Sequence, residues 1–377
     1  MTGTVQLDQL GLCPTQSRTG RAYLAYPNWR RARWIIPAES ALRRAGLQLY
    51  TPQRLRGRVL KGAMAMGRLW GERVWLDPDT LGALGTALGG CVGEPAVSLA
   101  FYLGTPGAYR KITIQVTTAA GRVLGYAKIS DQPLAQAALE AEWRTLRQLS
   151  AWKNLRGRVP EVVYWGDWRA HKVLLTTAGP PHPGPPRLGC LHFEFLRDLQ
   201  AAFSEERSFD VSSMFMSLMH ATRRWGLRYP DPWPERLTRA MRCLEERLGS
   251  VRLPLCMAHR DFTPWNTRVG PRGLFVFDWE AAADGLTPLY DAFHFEAIQA
   301  ALGAPSRPGS ESLTELLAVL WPAGARHFPW LYFAYLVDMS LYYGEARRCA
   351  PDAGDERVLR WLGKQIDTRL EGSYGAS

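Results

Sequence analysis

One stretch narrows the possible folds more than any other: HRDFTPWN, residues 259–266, followed closely by the apolar run LFVFD and then Trp279-Glu280. The first part reads as a polar loop carrying an Asp and an Asn five positions apart, Asp261 and Asn266. The apolar run reads as a strand that delivers a further carboxylate, Asp278, at its end. A second carboxylate at a strand end makes this far more than one residue type repeated, so a chance polar loop is a poor account of it.

These residue types suit phosphoryl transfer, which asks little covalent chemistry of a protein but much positioning and charge neutralisation. Asp261 can accept or orient the proton of an attacking hydroxyl. Asn266 and Asp278 offer the hard oxygen donors that Mg2+ prefers, and that ion keeps waters and phosphate oxygens as its remaining ligands. His259 is a lone histidine here and reads as a hydrogen-bonding residue within the loop, not a metal ligand or a general base.

The pattern H-x-D-x-x-x-x-N followed by D-W-E resembles that of the aminoglycoside phosphotransferase and choline kinase superfamily, which shares the protein-kinase fold. The form H-G-D-F-x-P-x-N is common there; this chain departs at the second position, where Arg260 replaces the Gly and makes the triplet read HRD as in protein kinases. A protein kinase itself fits less well, because Trp-Glu rather than Phe-Gly follows Asp278 and no APE motif comes after it. The resemblance implies an α+β, two-lobed protein-kinase-like fold with a small β-rich N-lobe and a mainly helical C-lobe. It also implies ATP (or GTP) with Mg2+, and a small-molecule hydroxyl as the phosphate acceptor. Asp261 is then the catalytic residue, with Asn266 and Asp278 on the metal.

The resemblance covers roughly residues 96–345 and carries further expectations upstream. Lys128, in the strand-like GYAKIS, sits where the phosphate-contacting lysine is expected. Glu142 lies on the next helix in an E-x-x-x-L-x-x-L layout and is its expected partner. Glu140 is the rival, and two positions apart on a helix the pair face different ways. Gly104 and Gly107, in GTPG, are the candidate phosphate loop, since glycines let backbone approach phosphates; a plain hairpin turn explains them equally. The nucleotide base is expected near Thr176 to Gly179. Downstream, Asp291 in PLYDAFHF matches an Asp that braces the catalytic loop, and Glu280 can approach a second metal or the acceptor, or cap local structure.

Three regions follow along the chain: a basic N-terminal extension over 1–95, an N-lobe over 96–178, and a helical C-lobe over 179–377 that opens with the Pro/Gly-rich hinge GPPHPGPPRLG. Residues 1–90 hold thirteen Arg or Lys against five Asp or Glu, so +8 of the net +11 lies there. Such a segment can attract an anionic partner, or it can be a solvated Arg-rich surface. Recognised nucleic-acid-binding patterns are absent. Six scattered cysteines without a CxxC pair suit free thiols, and no run approaches the roughly 18 to 20 apolar residues of a membrane helix, so a cytoplasmic location is the default.

For the acceptor, Trp225, Tyr229, Trp233, Tyr332, Tyr335 and Asp338 are candidates on the helices after the hinge. Aromatics of this density suit a sugar or glycosylated compound and suit a helical core equally. The basic chain counts against a polycationic acceptor. Two other classes remain: a catalytically silent kinase-fold binding or scaffold protein, and a nucleotidyltransferase on the same fold.

Overall fold

The computed structural model describes residues 5–18, 20–50, 55–66, 71–104, 109–225, 230–303, 310–349 and 353–374. It divides into two compact units, Met1–Ala151 with Val159–His182, and Trp152–Arg158 with Pro183–Ser377.

The first unit is built on strands Ala22–Tyr26 (β1), Trp34–Pro37 (β2), Glu72–Trp75 (β3), Val97–Tyr102 (β4), Ile112–Thr118 (β5), Val123–Ser130 (β6), Val162–Trp168 (β7) and His171–Thr177 (β8). They form one eight-stranded sheet in the order β3-β1-β2-β4-β5-β6-β8-β7. Neighbours run antiparallel, with Trp34 opposite Tyr102 and Ile35 opposite Phe101 where β2 meets β4. Residues 1–95 therefore share a sheet with the strands expected of the N-lobe, and three of the eight strands come from that segment.

Side-chain alternation explains why this sheet can be buried on both faces. Tyr23, Ala25, Ile35, Leu99 and Phe101 join one apolar cluster. Their chain neighbours Leu24, Tyr26, Ile36 and Ala100 join another. Leu84 and Leu88, four apart on the helix Pro78–Val92, belong to the first cluster. The Gly-rich run GALGTALGG, whose glycines suggest from sequence the end of the first region, lies inside this helix. Its ends outweigh its glycines: Asp77 accepts from the Thr80 amide, Pro78 takes the first turn, and Gly93 closes the helix at φ +69. From sequence, Thr51 and Pro52 suit an N-cap and first helical position; both lie outside the described residues.

The helix Pro133–Ser150 completes the first unit, burying Leu139, Glu142, Leu146 and Leu149. A two-residue strand, His182–Pro183 (β9), is the one regular element in the Pro/Gly-rich stretch over 179–189.

The second unit is mainly helical. Its strands Glu205–Ser208 (β10), Arg252–Ala258 (β11) and Ala283–Leu286 (β14) form a three-stranded sheet, and Thr267–Gly270 (β12) pairs with Gly273–Val276 (β13) as a hairpin. Segment 152–158 belongs here because Arg158 pairs with Asp198 at 2.5 Å and accepts the Val276 amide at 2.8 Å. Two long helices, Phe328–Cys349 and Ala353–Tyr374, close the chain. No helix among the described residues is long and apolar enough to cross a membrane.

Candidate active site

Strand β11 ends at Ala258, and the next eight residues form a loop laced to its surroundings by main-chain bonds. Asp291, buried at the start of the helix Tyr290–Ala301, accepts the amides of His259 at 2.8 Å and Arg260 at 3.0 Å. Burial pushes the Asp291 pKa up, while the His259 and Arg260 amides it accepts pull it back. The His259 ring bridges the loop to the residue just after β13: Nε2 lies 3.0 Å from the Phe277 carbonyl and Nδ1 accepts the Asp261 amide at 3.2 Å. Those partners require the neutral tautomer protonated on Nε2. Phe277 N–H closes the frame by donating to the Asn266 carbonyl at 3.1 Å.

Packing explains the apolar letter inside the motif. Phe262 is fully buried against Phe195 and Phe295, with His192 edge-on to it. The loop is thereby anchored in the core, while the Asp261 side chain beside it stays 38% exposed.

Asp261 and Asn266 are in direct contact. The Asn266 amide nitrogen donates to Asp261 Oδ2 at 2.7 Å and to the Asp261 carbonyl at 3.0 Å. Because both neighbours on that side are acceptors, the Asn266 oxygen must face the other way, which leaves a hard donor suited to a magnesium ion. Asp278 follows β13 in the left-handed region at φ 72. An amide oxygen at the end of the loop and a carboxylate just after β13 are the donor types expected of Mg2+. Glu280 lies in the short 3-10 turn Trp279–Ala281.

Arg260 occupies the position where the resembling motif carries Gly, and its φ of 62 shows why Gly is favoured there. The chain compensates with a buried network. Arg260 donates to Asp338 at 2.7 Å on the helix Phe328–Cys349, its guanidinium lies over the Tyr342 ring, and the buried Tyr290 hydroxyl donates to the same carboxylate. Burial opposes the Arg260 charge, but Asp338 and Tyr290 outweigh it and push the pKa upward.

His294, which the sequence reading passed over, faces the other oxygen of Asp261, with Nε2 3.4 Å from Oδ1. Its Nδ1 lies 3.2 Å from the Tyr335 hydroxyl. The signal was present in PLYDAFHF, since a residue three after Asp291 lies beside it on a helix.

In the first unit Lys128 and Glu142 meet, with Nζ 2.7 and 2.5 Å from the two carboxylate oxygens. Glu142 is 2% exposed, whereas Glu140 pairs with Arg144 on the solvent side. Gly104, after β4, has φ +57, and a side chain there would meet the Lys111 carbonyl at 2.7 Å, so the backbone itself requires glycine. Gly107 lies outside the described residues.

The candidate acceptor residues divide. Trp233, Tyr335 and Asp338 are buried in the helical core, and Tyr332 stacks on Tyr335 beneath Arg369. The alternative of a helical core therefore accounts for them. Tyr229 and the Trp225 side chain lie outside the described residues.

His192 yields an acid-stability prediction. Burial pushes its pKa down to about 4 from 6.5, so it is neutral in the folded chain and protonates more readily when unfolded. Its stabilising contribution is full above about pH 6.5 and is lost as the pH falls towards 4, a change of about 3 kcal/mol. Denaturant unfolding at pH 7 and pH 4.5 should show a smaller acid loss in His192→Phe than in the wild type. Equal losses would remove His192 as the cause.

With this geometry in place, solved structures define the class: the chain has the α+β, protein-kinase-like fold of the aminoglycoside phosphotransferases. A thermostable mutant of aminoglycoside phosphotransferase APH(4)-Ia in its apo form matches at TM-score 0.54 and 14% identity, over 77% of this chain and 99% of that one. A variant of the same enzyme in a ternary complex with ADP and hygromycin B matches at TM-score 0.54 and 13% identity, over 78% and 99%. The streptomycin–ATP–APH(2")-IIa ternary complex matches at 0.50 and 14%, over 77% and 97%. No protein-family model matches the sequence, and no curated protein does.

Proposed function

We propose that this chain is an ATP-dependent phosphotransferase that moves the γ-phosphate to a hydroxyl of a small molecule, a sugar or a glycosylated compound. The observation that carries the reading is Asp261: a half-open carboxylate, held at Oδ2 by Asn266, on a loop braced by Asp291. That arrangement presents a fixed base to an incoming hydroxyl, in a fold whose solved neighbours are phosphotransferases.

Asp261 would orient the acceptor O–H and take its proton as the acceptor oxygen bonds to the γ-phosphorus and the bond to the β–γ bridging oxygen breaks. ADP leaves with that oxygen. Asn266 and Asp278 would hold magnesium, which supplies charge neutralisation on the phosphates. Lys128, oriented by Glu142, would contact nucleotide phosphate, with Gly104 as the described part of the candidate phosphate loop. The nucleotides in the neighbours are ADP, AMP-PNP and ATP, which favours ATP over GTP. Those neighbours bind aminoglycosides, but a chain of net charge +11 is poorly suited to a polycation, so a less cationic glycosylated acceptor fits better.

Phosphorus NMR of the protein with ATP, Mg2+ and a panel of sugars, glycosides and amino alcohols tests this. ADP with a phosphorylated acceptor is the expected result. Pyrophosphate with an adenylylated product would replace transfer of phosphate by transfer of the nucleotide. Absence of any nucleotide binding would overturn the reading.

A further inference from the structure

We infer that His294 is a positioning residue for Asp261, holding the Oδ1 end of the carboxylate while Asn266 holds the Oδ2 end. The inference rests on the reading of Asp261 as the base.

His294 is 1% exposed and sits in a run of apolar neighbours, Ala292, Phe293 and Phe295, all buried. A core position of this kind is ordinarily filled by an apolar side chain, and a buried imidazole costs free energy unless both nitrogens find partners. Tyr335 supplies one. Its buried phenol lies 3.2 Å from Nδ1, and because Nε2 faces a carboxylate oxygen, which accepts, Nδ1 takes the phenolic hydrogen. A neutral imidazole that accepts at Nδ1 carries its hydrogen on Nε2.

That hydrogen faces Asp261. Nε2 has no hydrogen-bond partner among the described residues, and Asp261 Oδ1 lies 3.4 Å away. The separation is longer than a full-strength N–H···O bond, and hydrogen bonds of this kind commonly tighten when substrate is bound. With Asn266 bonded to Oδ2 and His294 facing Oδ1, rotation of the carboxylate plane is restrained from both ends. Its remaining lone pairs then face a fixed direction, which is what a base needs in order to meet a hydroxyl in line with a phosphorus. The chain Tyr335–His294–Asp261 also ties the base to two different helices, Tyr290–Ala301 and Phe328–Cys349.

A packing role and a positioning role predict opposite orders of substitution. Phe suits an apolar site better than Gln, whereas Gln can place an N–H near the position of Nε2 and Phe cannot. The test uses Mg2+-dependent hydrolysis of ATP, with water as the acceptor, in wild type, Asp261→Asn, His294→Phe, His294→Gln and Tyr335→Phe. We expect His294→Phe to lower kcat about tenfold to a hundredfold, as loss of an orienting partner commonly does, with KM for ATP unchanged. His294→Gln should recover most of that loss. Tyr335→Phe should lower kcat several-fold, because the imidazole loses the donor that sets its tautomer.

Wild-type kcat in His294→Phe, or more activity in the Phe variant than in the Gln variant, would overturn the inference even when Asp261→Asn is inactive. Full hydrolysis by Asp261→Asn would instead remove the base, and the role of His294 with it. Should His294→Phe fail to fold by thermal melting, an unaltered kcat in Tyr335→Phe would be decisive against the inference.

Discussion

Asp261→Asn is expected to bind Mg-ATP as tightly as the wild type and to turn over about a hundredfold to ten-thousandfold more slowly, the range for loss of a general base. The substitution preserves shape and leaves the loop's main-chain frame intact, because the bonds from His259 and Arg260 to Asp291 do not involve the altered side chain. What changes is the ability to take a proton, together with the charge that faces His294 and Asn266. Calorimetric titration with AMP-PNP and a coupled assay for ADP separate binding from turnover. Activity within tenfold of the wild type would remove Asp261 from its assigned role.

The largest expected effect on stability is at Asp338. Replacing it with Ala leaves the Arg260 guanidinium in a largely buried site without its carboxylate, which costs about 3–5 kcal/mol when one member of a buried pair is removed. The Tyr290 hydroxyl loses its acceptor at the same time. Arg260→Gly alone should relieve the left-handed backbone, worth about 1–2 kcal/mol, yet strand the Asp338 carboxylate. The double variant Arg260→Gly, Asp338→Leu should therefore be more stable than Asp338→Ala. Urea unfolding of the three proteins checks this; a loss below about 1 kcal/mol in Asp338→Ala would show that the pair contributes no more than an exposed salt bridge.

Contacts within the candidate site were legible where they depend on residue type at short spacing. Asp261 and Asn266 are five apart, and the structure brings them into hydrogen-bond contact; Lys128 finds Glu142 rather than Glu140 because the helix turns only one of them inward. Where partners come from distant segments, the sequence held no sign of them. Nothing near Arg260 announces that its carboxylate lies on the helix Phe328–Cys349, and Asp338 reads in isolation as a polar group open to a ligand. His294 went unread for a different reason, since a single histidine in an apolar run looks like core until its second nitrogen is seen to face a carboxylate. The helix Pro78–Val92 was obscured by its own glycines, whose low helix propensity is offset by its capping residues and by the burial of Leu84 and Leu88.

The pairing of β2 with β4 decides how short a piece of the first unit can be made. Cutting before residue 96 would strip β2 away and bare the Val97–Tyr102 backbone along with Leu99 and Phe101, an apolar strand with open donors and acceptors of the kind that seeds aggregation. In the intact chain that edge is moved outward to Glu72–Trp75, four residues long and carrying Glu72 and Arg73. Even there the chain covers part of itself: Thr15 donates its amide to the Trp75 carbonyl at 2.8 Å, and Pro14 bridges to Leu76. The basic N-terminal segment thus acts as a guard strip for the sheet, whatever its charge attracts.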